Sequence, residues 1–478
     1  MLHGETTSAT KNYQKATETN AEWIQDFYKK QEVMISMRDG IELFTQIYSP
    51  KDQTQKYPIL LFRTPYSIRY YGENNYRNTL GPNELYANDG TKDGYKFFQE
   101  LGPVSNVDKT YFHESVPTWN EYMEHGNYDE YWQEQDVLQY LTNITHPILN
   151  VAGWFDAEDF YGPMSIYKTI EEKNKKNNST LVVGPWLHGG WARMEGDFLG
   201  NIQFKEKTSV YFREKVEFPF FKYYLKDKGE LNLPEALIFE TGSNQWKSYD
   251  SWPPKQAVEK NLYFQASGQL SFDLPQIKPG SEFNTFTSDP NKPVPWSTEI
   301  RTNQGHLWMV EDQRFASRRP DVLVYQTDEL FDDVTISGPI IANLFVRTTG
   351  TDADWIVKLI DVYPGDAPDN GDVKMSDFQM LVGGEVFRSK YRNSFENPKP
   401  LVPGKITKIE FDLRDKCHCF KKGHRIMVQI QSTWFPVIDR NPQKFVNIYH
   451  AVESDFQKAD HTVYHSKKYP SSLKVLVK

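Results

Sequence analysis

The sequence predicts an α/β domain followed by an all-β domain. Two apolar runs, 147–153 and 179–184, each read as a short strand that ends in a polar loop, and a helical pattern over 162–174 lies between them. After residue 231 short β-type runs alternate with turns rich in Pro, Gly, Asn and Asp. A chain of 478 residues is long enough for two cores. We therefore expect 31–230 to be the α/β domain and 231–478 to be a β-sandwich or jelly roll.

The amino-terminal region divides into a polar arm and a hairpin. Residues 1–30 form a polar arm with weak helical character. Two alternating runs follow at 33–37 and 41–48, and the Asp39-Gly40 pair lies between them. Alternation on both sides of an Asp-Gly turn predicts a β-hairpin.

The next stretch leads from a strand to a helical cap. The apolar run 58–62 predicts a short strand, and Tyr66 follows its carboxyl end. From 67 to 109 no run resembles a buried strand, whereas 116–141 is helical and rich in Trp and Tyr. We interpret 95–142 as a helical cap rather than part of the core. A phenol placed like that of Tyr66 can donate a hydrogen bond to an oxyanion, and the alternative is that it only packs.

Composition excludes several classes of protein. A net charge of −9 argues against a phosphate-backbone partner, so we expect no nucleic-acid binding. No window approaches 18 apolar residues, and the start of the chain has no apolar core of signal-peptide type. We therefore expect no membrane contact and, for the chain as written, a cytoplasmic location. Cys417 and Cys419 lie two positions apart, which is poor geometry for a mutual disulfide.

Asp156 and His188 form the candidate catalytic pair. Each follows one of two consecutive predicted strands, and loops at the carboxyl ends of such strands meet at one edge of a sheet. In a hydrolytic triad the Asp orients the imidazole, and the His takes a proton from the nucleophile. The alternative is that Asp156 caps the helix that follows and that His188 is an ordinary loop residue.

Two further carboxylates, Glu158 and Asp159, lie close to Asp156 in the sequence. Three such groups cannot all be desolvated and ionised without a nearby cation. A cationic group of a substrate, a metal or an arginine would each supply that charge. The alternative is that two of the three face water near a helix N-terminus, where negative charge is favourable. Metal-dependent hydrolysis through these carboxylates and His188 is a further hypothesis.

A second group of potential metal ligands lies near the carboxyl end of the chain. Cys417, His418, Cys419 and His424 suggest zinc, but the C-x-C spacing is tighter than in common structural zinc sites. The segment also adjoins a strand-like run. We therefore expect no bound metal and no cofactor.

Several longer segments match a known family. They are M-R-D-G-I-E-L (37–43), R-T-P-Y (63–66), G-W-F-D-A-E-D (153–159), G-P-W-L-H-G-G-W (184–191), S-D-P-N-K-P-V-P (288–295) and G-H-R-I-M-V-Q-I-Q-S (423–432). In these segments the chain resembles the cocaine-esterase-like serine hydrolases, a group that includes the glutaryl-cephalosporin acylases and the Xaa-Pro dipeptidyl-peptidases. It is most similar to the α-amino-acid ester hydrolases, because the third segment carries the acidic pair.

The resemblance implies an α/β-hydrolase domain with a helical cap and a C-terminal jelly roll. It implies that Asp156 is the triad acid, His188 the triad base and Tyr66 part of the oxyanion hole. It also implies that Glu158 and Asp159 bind the α-ammonium group of a substrate. The expected substrate is a small molecule or dipeptide with a free α-amino group, such as an α-amino-acid ester, an amide or an Xaa-Pro dipeptide. A homo-oligomer and export are features of similar enzymes and are expectations by analogy alone.

One part of the family pattern is missing. No G-x-S-x-G segment occurs between Tyr66 and Asp156, where the family has central strands and the nucleophile elbow. Ser67, Ser105 and Ser115 have no elbow context, so we find no nucleophile. We expect an internal deletion, no acyl-enzyme, and a first domain less stable than in relatives because strand edges lose their partners. The chain is then a hydrolase by family or, alternatively, a catalytically inactive member or fragment whose jelly roll still binds a ligand or partner.

Overall fold

The structure is a computed structural model, and it divides into two compact units, Met1–Asp89 and Gly90–Lys478. The residues that it describes are 21–38, 40–54, 56–57, 59, 61, 71–77, 93–276, 280–301 and 307–478. Most of the predicted polar arm and Tyr66 lie outside these ranges.

The first unit contains helix α1 (Ala21–Phe27) and strands β1 (Tyr28–Ser36) and β2 (Glu42–Pro50). The strands are antiparallel and pair Ser36 with Glu42 at the turn, which confirms the predicted hairpin.

The predicted strand over 58–62 is wrong at the two residues of that run that the structure describes. Ile59 and Leu61 lie outside any strand and are 89% and 78% exposed. A parallel strand is stable when neighbours cover and bond it on both sides. The neighbours expected here belong to the segment that the family pattern places between Tyr66 and Asp156, and a deletion of that segment stays a prediction.

The second unit starts with short helices. They are α2 (Gly94–Leu101), a π-helical turn (Asp108–Phe112), α3 (Pro117–Glu124), α4 (Glu130–Gln135) and a 3-10 turn (Val137–Tyr140). The helical region predicted over 116–141 is therefore present but divided. Neither α3 nor α4 has a buried residue. The hydroxyl of Tyr391 donates a hydrogen bond of 2.6 Å to the carbonyl of Gly126, between the two helices. A cap function for 95–142 stays a prediction.

An α/β region follows, built around a four-stranded sheet. Its elements are β3 (Ile148–Gly153), α5 (Tyr161–Lys173), β4 (Ser179–Gly184), α6 (Gly190–Arg193), β5 (Phe198–Leu199), β6 (Ile202–Gln203), α7 (Thr208–Tyr211), a π-helical stretch (Phe212–Glu217), α8 (Phe218–Lys226), β7 (Ala236–Glu240) and β8 (Gln245–Tyr249). The sheet order is β3-β4-β7-β8, and β3, β4 and β7 are parallel. The two strand-and-loop units predicted from the sequence are present. The sheet also includes two strands beyond residue 230, and the predicted domain limits stay a prediction.

The remainder of the second unit is β-rich. Its elements are β9 (Val258–Phe264), β10 (Leu270–Ser271), β11 (Phe283–Ser288), a 3-10 turn (Leu307–Val310), α9 (Arg314–Ser317), β12 (Leu323–Gln326), β13 (Val334–Thr348), β14 (Asp354–Val362), β15 (Gln379–Arg388), β16 (Thr407–Phe420), β17 (Arg425–Gln431), β18 (Ala459–Tyr464) and β19 (Ser472–Val477). One sheet runs β10-β9-β19-β13-β18-β11 with β16 also on β13, and the other runs β12-β17-β14-β15.

The two antiparallel sheets enclose a shared apolar core. Ile336 on β13, Trp355 on β14 and Val428 on β17 are fully buried members of one cluster that both sheets contribute to. Removing this much apolar surface from water is the main stabilising term of the β-rich region. The jelly-roll topology named from the sequence stays a prediction.

The residues that suggested zinc have other partners. His418 Nδ1 lies 2.8 Å from Thr241 Oγ1, and Asp361 faces both His418 Nε2 (3.2 Å) and His424 Nδ1 (2.8 Å). Cys417 and Cys419 are free and buried in β16. Within the described ranges no group of three or more His, Cys, Asp or Glu side chains is arranged to hold a metal ion. No helix in those ranges has the length and apolar character of a membrane span.

His461 on β18 makes the stability of the β-rich region sensitive to acid. Its ring lies between Phe286 and Trp355, and neither ring nitrogen has a hydrogen-bond partner among the described residues. Burial lowers the pKa of His461 from 6.5 to about 3. Below pH 6.5 the unfolded chain therefore takes up a proton that the folded chain excludes, so the free energy of unfolding falls as the pH drops toward 3.

We predict that His461→Leu weakens this acid dependence. Between pH 6.5 and 4 the free energy of unfolding should fall less steeply with pH in the variant than in the wild type. The two slopes should differ by up to about 1.4 kcal/mol per pH unit, the value for one proton. Urea unfolding at several pH values measures it, with His450→Leu at an exposed position as the control. Equal pH slopes in the two variants would contradict the prediction.

Candidate active site

Backbone hydrogen bonds join the loops that follow β3 and β4. The N–H of Trp154 donates to the carbonyl of Gly184 (2.9 Å), and the N–H of Phe155 donates to the carbonyl of Trp186 (3.0 Å). Pairing of the two parallel strands thus continues into their loops. Gly153 allows this approach, because a Cβ there would lie 2.3 Å from the Trp186 carbonyl oxygen. The two candidate catalytic residues are carried to the same edge of the sheet.

The structure brings Asp156 and His188 together. Asp156 Oδ2 lies 3.2 Å and Oδ1 3.3 Å from His188 Nδ1. The side chain of Asp156 is 2% exposed and that of His188 is 20% exposed. Asp156 Oδ1 also accepts the backbone N–H groups of Glu158 and Asp159, both at 2.9 Å. Helix α5 begins only at Tyr161, so Asp156 caps a tight turn and not that helix.

The imidazole of His188 is oriented by its surroundings. Because a carboxylate can only accept a hydrogen bond, the contact with Asp156 assigns a proton to Nδ1, and in the neutral ring Nε2 is then the acceptor nitrogen. The guanidinium of Arg193 donates to the His188 carbonyl at 2.6 Å, which ties the loop to α6. The indole N–H of Trp186 donates to Thr208 Oγ1 at 3.0 Å and anchors the loop from below.

The acidic pair lies beside the same ring. Glu158 Oε2 is 3.9 Å from His188 Nε2, and Asp159 Oδ2 is 3.5 Å from Nδ1. Glu158 is 47% exposed and Asp159 is 66% exposed at the side chain. Two of the three carboxylates thus face solvent, as the alternative interpretation expected. Both side chains of the pair are therefore partly open to solvent beside the His188 ring.

Among the described residues, no other candidate named from the sequence lies beside the Asp156–His188 pair. Tyr66 and Ser67 lie outside the described ranges. The hydroxyl of Ser105 donates to the carbonyl of Ala451 at 2.7 Å, and that of Ser115 donates to the carbonyl of Phe112. In the part of the chain that the structure describes, both of these hydroxyls are thus bonded to backbone carbonyls, and the lack of a nucleophile stays a prediction.

Two charged residues behind the site were not predicted from the sequence. Lys416 on β16 is buried, and its ammonium group donates to the carbonyl of Trp154 at 2.9 Å. Its neighbour Asp415 accepts from Lys168 on α5 (2.5 Å) and from the indole of Trp252 (3.0 Å). The sequence signal for them was an Asp-Lys pair at the end of an apolar strand pattern. Strict alternation along a strand places one of two consecutive residues on the solvent side, so the pair was not recognised as buried.

Fold and site together define a class of protein. An Asp and a His beyond the carboxyl ends of adjacent parallel strands, in a sheet followed by an antiparallel β-rich region, form the architecture of an α/β-hydrolase with a C-terminal β domain. A family model for the X-Pro dipeptidyl-peptidase C-terminal non-catalytic domain matches residues 230–474, more than half of the chain, and a model for X-Pro dipeptidyl-peptidase (S15 family) matches 84–190. The chain belongs to the family of X-Pro dipeptidyl-peptidases and cocaine-esterase-like hydrolases.

Individual relatives agree with this assignment. The crystal structure of an aminopeptidase from a marine sediment Thaumarchaeota archaeon is 37% identical, with a TM-score of 0.78 over 84% of this chain and 66% of that one. The structure of a selenomethionine-labelled α-amino acid ester hydrolase is also 37% identical, with a TM-score of 0.78 over 82% of this chain and 65% of that one. Cocaine esterase from Rhodococcus sp. (strain MB1 Bresler) is 28% identical over 332 residues, which are 67% of this chain and 54% of the relative.

These comparisons confirm the family resemblance and the fold class predicted from the sequence. The chain spans about half the length of the curated relatives that it matches, 54% for the cocaine esterase. The roles of Asp156, His188, Tyr66, Glu158 and Asp159 stay predictions.

We predict that Gly153→Ala destabilises the fold by about 1–3 kcal/mol, because the added Cβ overlaps a backbone oxygen of the neighbouring loop. The matched control is Gly162→Ala in α5, where a Cβ would meet nothing within 4 Å. That variant should be stabilised by about 0.5–1 kcal/mol. Urea unfolding of both variants tests the pair, and a Gly153→Ala protein as stable as the wild type would refute the proposed close approach.

Proposed function

We propose that this chain carries the acid–base half of a serine-type hydrolase site for α-amino-acid esters, amides or Xaa-Pro dipeptides, without the nucleophile that completes acyl transfer. The observation that carries the proposal is the contact of the Asp156 carboxylate with His188 Nδ1, at 3.2 Å, in a chain of this family. In such a site the imidazole takes the proton of the attacking hydroxyl and later returns it to the leaving group, while the carboxylate stabilises the imidazolium.

The substrate class follows from the acidic pair. Glu158 and Asp159 project into solvent beside the His188 ring, so an ammonium group can bind there close to the reacting centre. Charge-assisted hydrogen bonds from an ammonium to carboxylates are stronger than neutral ones. This arrangement favours acyl compounds with a free α-amino group over their deaminated analogues.

The missing nucleophile limits the chemistry. Removing the serine of a comparable triad lowers turnover on the order of a million-fold, because the triad acts as a unit. An Asp–His pair alone can only polarise water weakly. A second candidate function is therefore a non-hydrolytic ligand-binding protein, which the lack of a G-x-S-x-G segment before Asp156 favours.

We predict that the purified chain binds L-phenylalaninamide and not 3-phenylpropanamide, which differs only in lacking the amino group. The double variant Glu158→Gln/Asp159→Asn removes both negative charges and should bind the amine at least about tenfold more weakly. That change corresponds to a loss of about 1.4 kcal/mol of binding free energy. Isothermal titration calorimetry measures both affinities. Glu172→Gln, at an exposed position of α5, is the control and should bind as the wild type does. Equal affinity for the two amides would remove the basis for an ammonium site.

We predict that a fluorophosphonate probe does not label the purified chain at any serine. The probe reacts with an activated serine hydroxyl, and the sequence offers no elbow that would activate one. The cocaine esterase of the Rhodococcus strain serves as the positive control, because its name identifies an esterase. Labelling that disappears when a single serine is replaced would identify a nucleophile and contradict the prediction that the chain lacks one.

A further inference from the structure

We propose that Lys416, on strand β16 of the β-rich region, is a positioning residue for the Asp156–His188 pair. Lys416 holds the loop that carries Asp156 from behind, although it touches neither member of the pair. The inference rests on the proposed role of that pair, and it gives the β-rich region a part in shaping the site.

The contacts of Lys416 lie on both sides of Asp156 in the sequence. Its Nζ donates a hydrogen bond of 2.9 Å to the carbonyl of Trp154, two residues before Asp156. The same Nζ lies 4.6 Å from the ring centre of Phe160, four residues after Asp156, and 5.7 Å from that of Trp154. Cation–π attraction therefore acts on both ends of the loop from one ammonium group.

The path of the side chain is built for this contact. Lys416 is 5% exposed, and its stem crosses Gly383 on β15, where a Cβ would lie 2.5 Å from Lys416 Cε. A side chain at position 383 would displace the stem. The absence of a side chain at Gly383 thus gives the Lys416 stem the space it needs to place its ammonium group against the loop.

The adjacent residue extends the same attachment to α5. Asp415 accepts hydrogen bonds from Lys168 on α5 and from the indole of Trp252. Consecutive residues of β16 thus hold the start of the loop and the helix that follows it. This double attachment fixes the segment on which Asp156 lies relative to β16.

A buried ammonium group is otherwise unfavourable here. No carboxylate of the described residues lies within 4 Å of Lys416 Nζ, and burial lowers the pKa of Lys416 to about 8. An apolar side chain of the same length would avoid the desolvation penalty. What the lysine provides instead is a charge-assisted hydrogen bond to a loop carbonyl, a specific orienting contact that an apolar residue cannot make.

The test compares two buried lysines of the β-rich region. Lys416→Met keeps the length of the stem and removes the bond to Trp154. Lys358→Met is the control, because Lys358 is also fully buried, with its pKa lowered by burial to about 7, and donates to Gln313 instead of to the loop. Both changes remove one buried charge and keep the side-chain volume, so general effects on stability are shared.

The readout is the proton resonance of the His188 Nδ1–H group in protein labelled with ¹⁵N-histidine, assigned by its loss in His188→Gln. We expect this resonance to shift or disappear in Lys416→Met and to stay in place in Lys358→Met. An unchanged resonance in a folded Lys416→Met protein, or the same change in both variants, overturns the proposal. If Lys416→Met does not fold, Gly383→Ala, whose added Cβ would displace the stem of Lys416, is judged by the same criteria.

This readout separates the inference from the proposed function. The resonance reports the contact of His188 with Asp156 in the absence of any ligand or turnover. Failure of amine binding would remove the ammonium site and leave the resonance comparison intact. If the amine binds as predicted but Lys416→Met leaves the His188 resonance unchanged, only the positioning role of Lys416 is contradicted.

Discussion

The candidate site depends on the continuation of strand pairing beyond the ends of β3 and β4. Two backbone hydrogen bonds, from Trp154 to Gly184 and from Phe155 to Trp186, bring the loops into contact. Gly153 makes the approach possible, since any side chain there would overlap the Trp186 carbonyl. Without this contact the two loops would be free to separate, and the Asp156 carboxylate would no longer be held beside the His188 imidazole.

The β-rich region supports this edge of the sheet rather than lying apart from it. The backbone of Thr241, just beyond β7, exchanges hydrogen bonds with Cys417 and Cys419 on β16. The same strand supplies Asp415 and Lys416, which hold α5 and the loop before it. Sheet pairing and side-chain contacts from one strand therefore act on the α/β region together. A domain that performs no chemistry can still determine how rigid the neighbouring site is.

Local patterns predicted the strands and the site loops well, and long-range contacts account for what they missed. The strand 179–184 and the positions of Asp156 and His188 follow from apolar runs and their polar ends. The run 58–62 has the same pattern, but a strand also needs partner strands, and among the described residues none pairs with Ile59 or Leu61. The burial of Lys416 was not predicted because both faces of the second half of β16 are buried. In such a strand, alternation of apolar and polar residues no longer indicates which side chains are buried.

The pair is held by interactions that do not involve a nucleophile. Asp156 receives two N–H groups from its own turn, and the loop of His188 is bound by Arg193 and, through Trp186, by Thr208. Each of these contacts is local to the two loops or to the elements beneath them. The Asp156 carboxylate and the His188 imidazole are therefore held in place before any contact with a hydroxyl. This geometry does not require further central strands, because β3 and β4, which carry the pair, lie side by side and bond to each other.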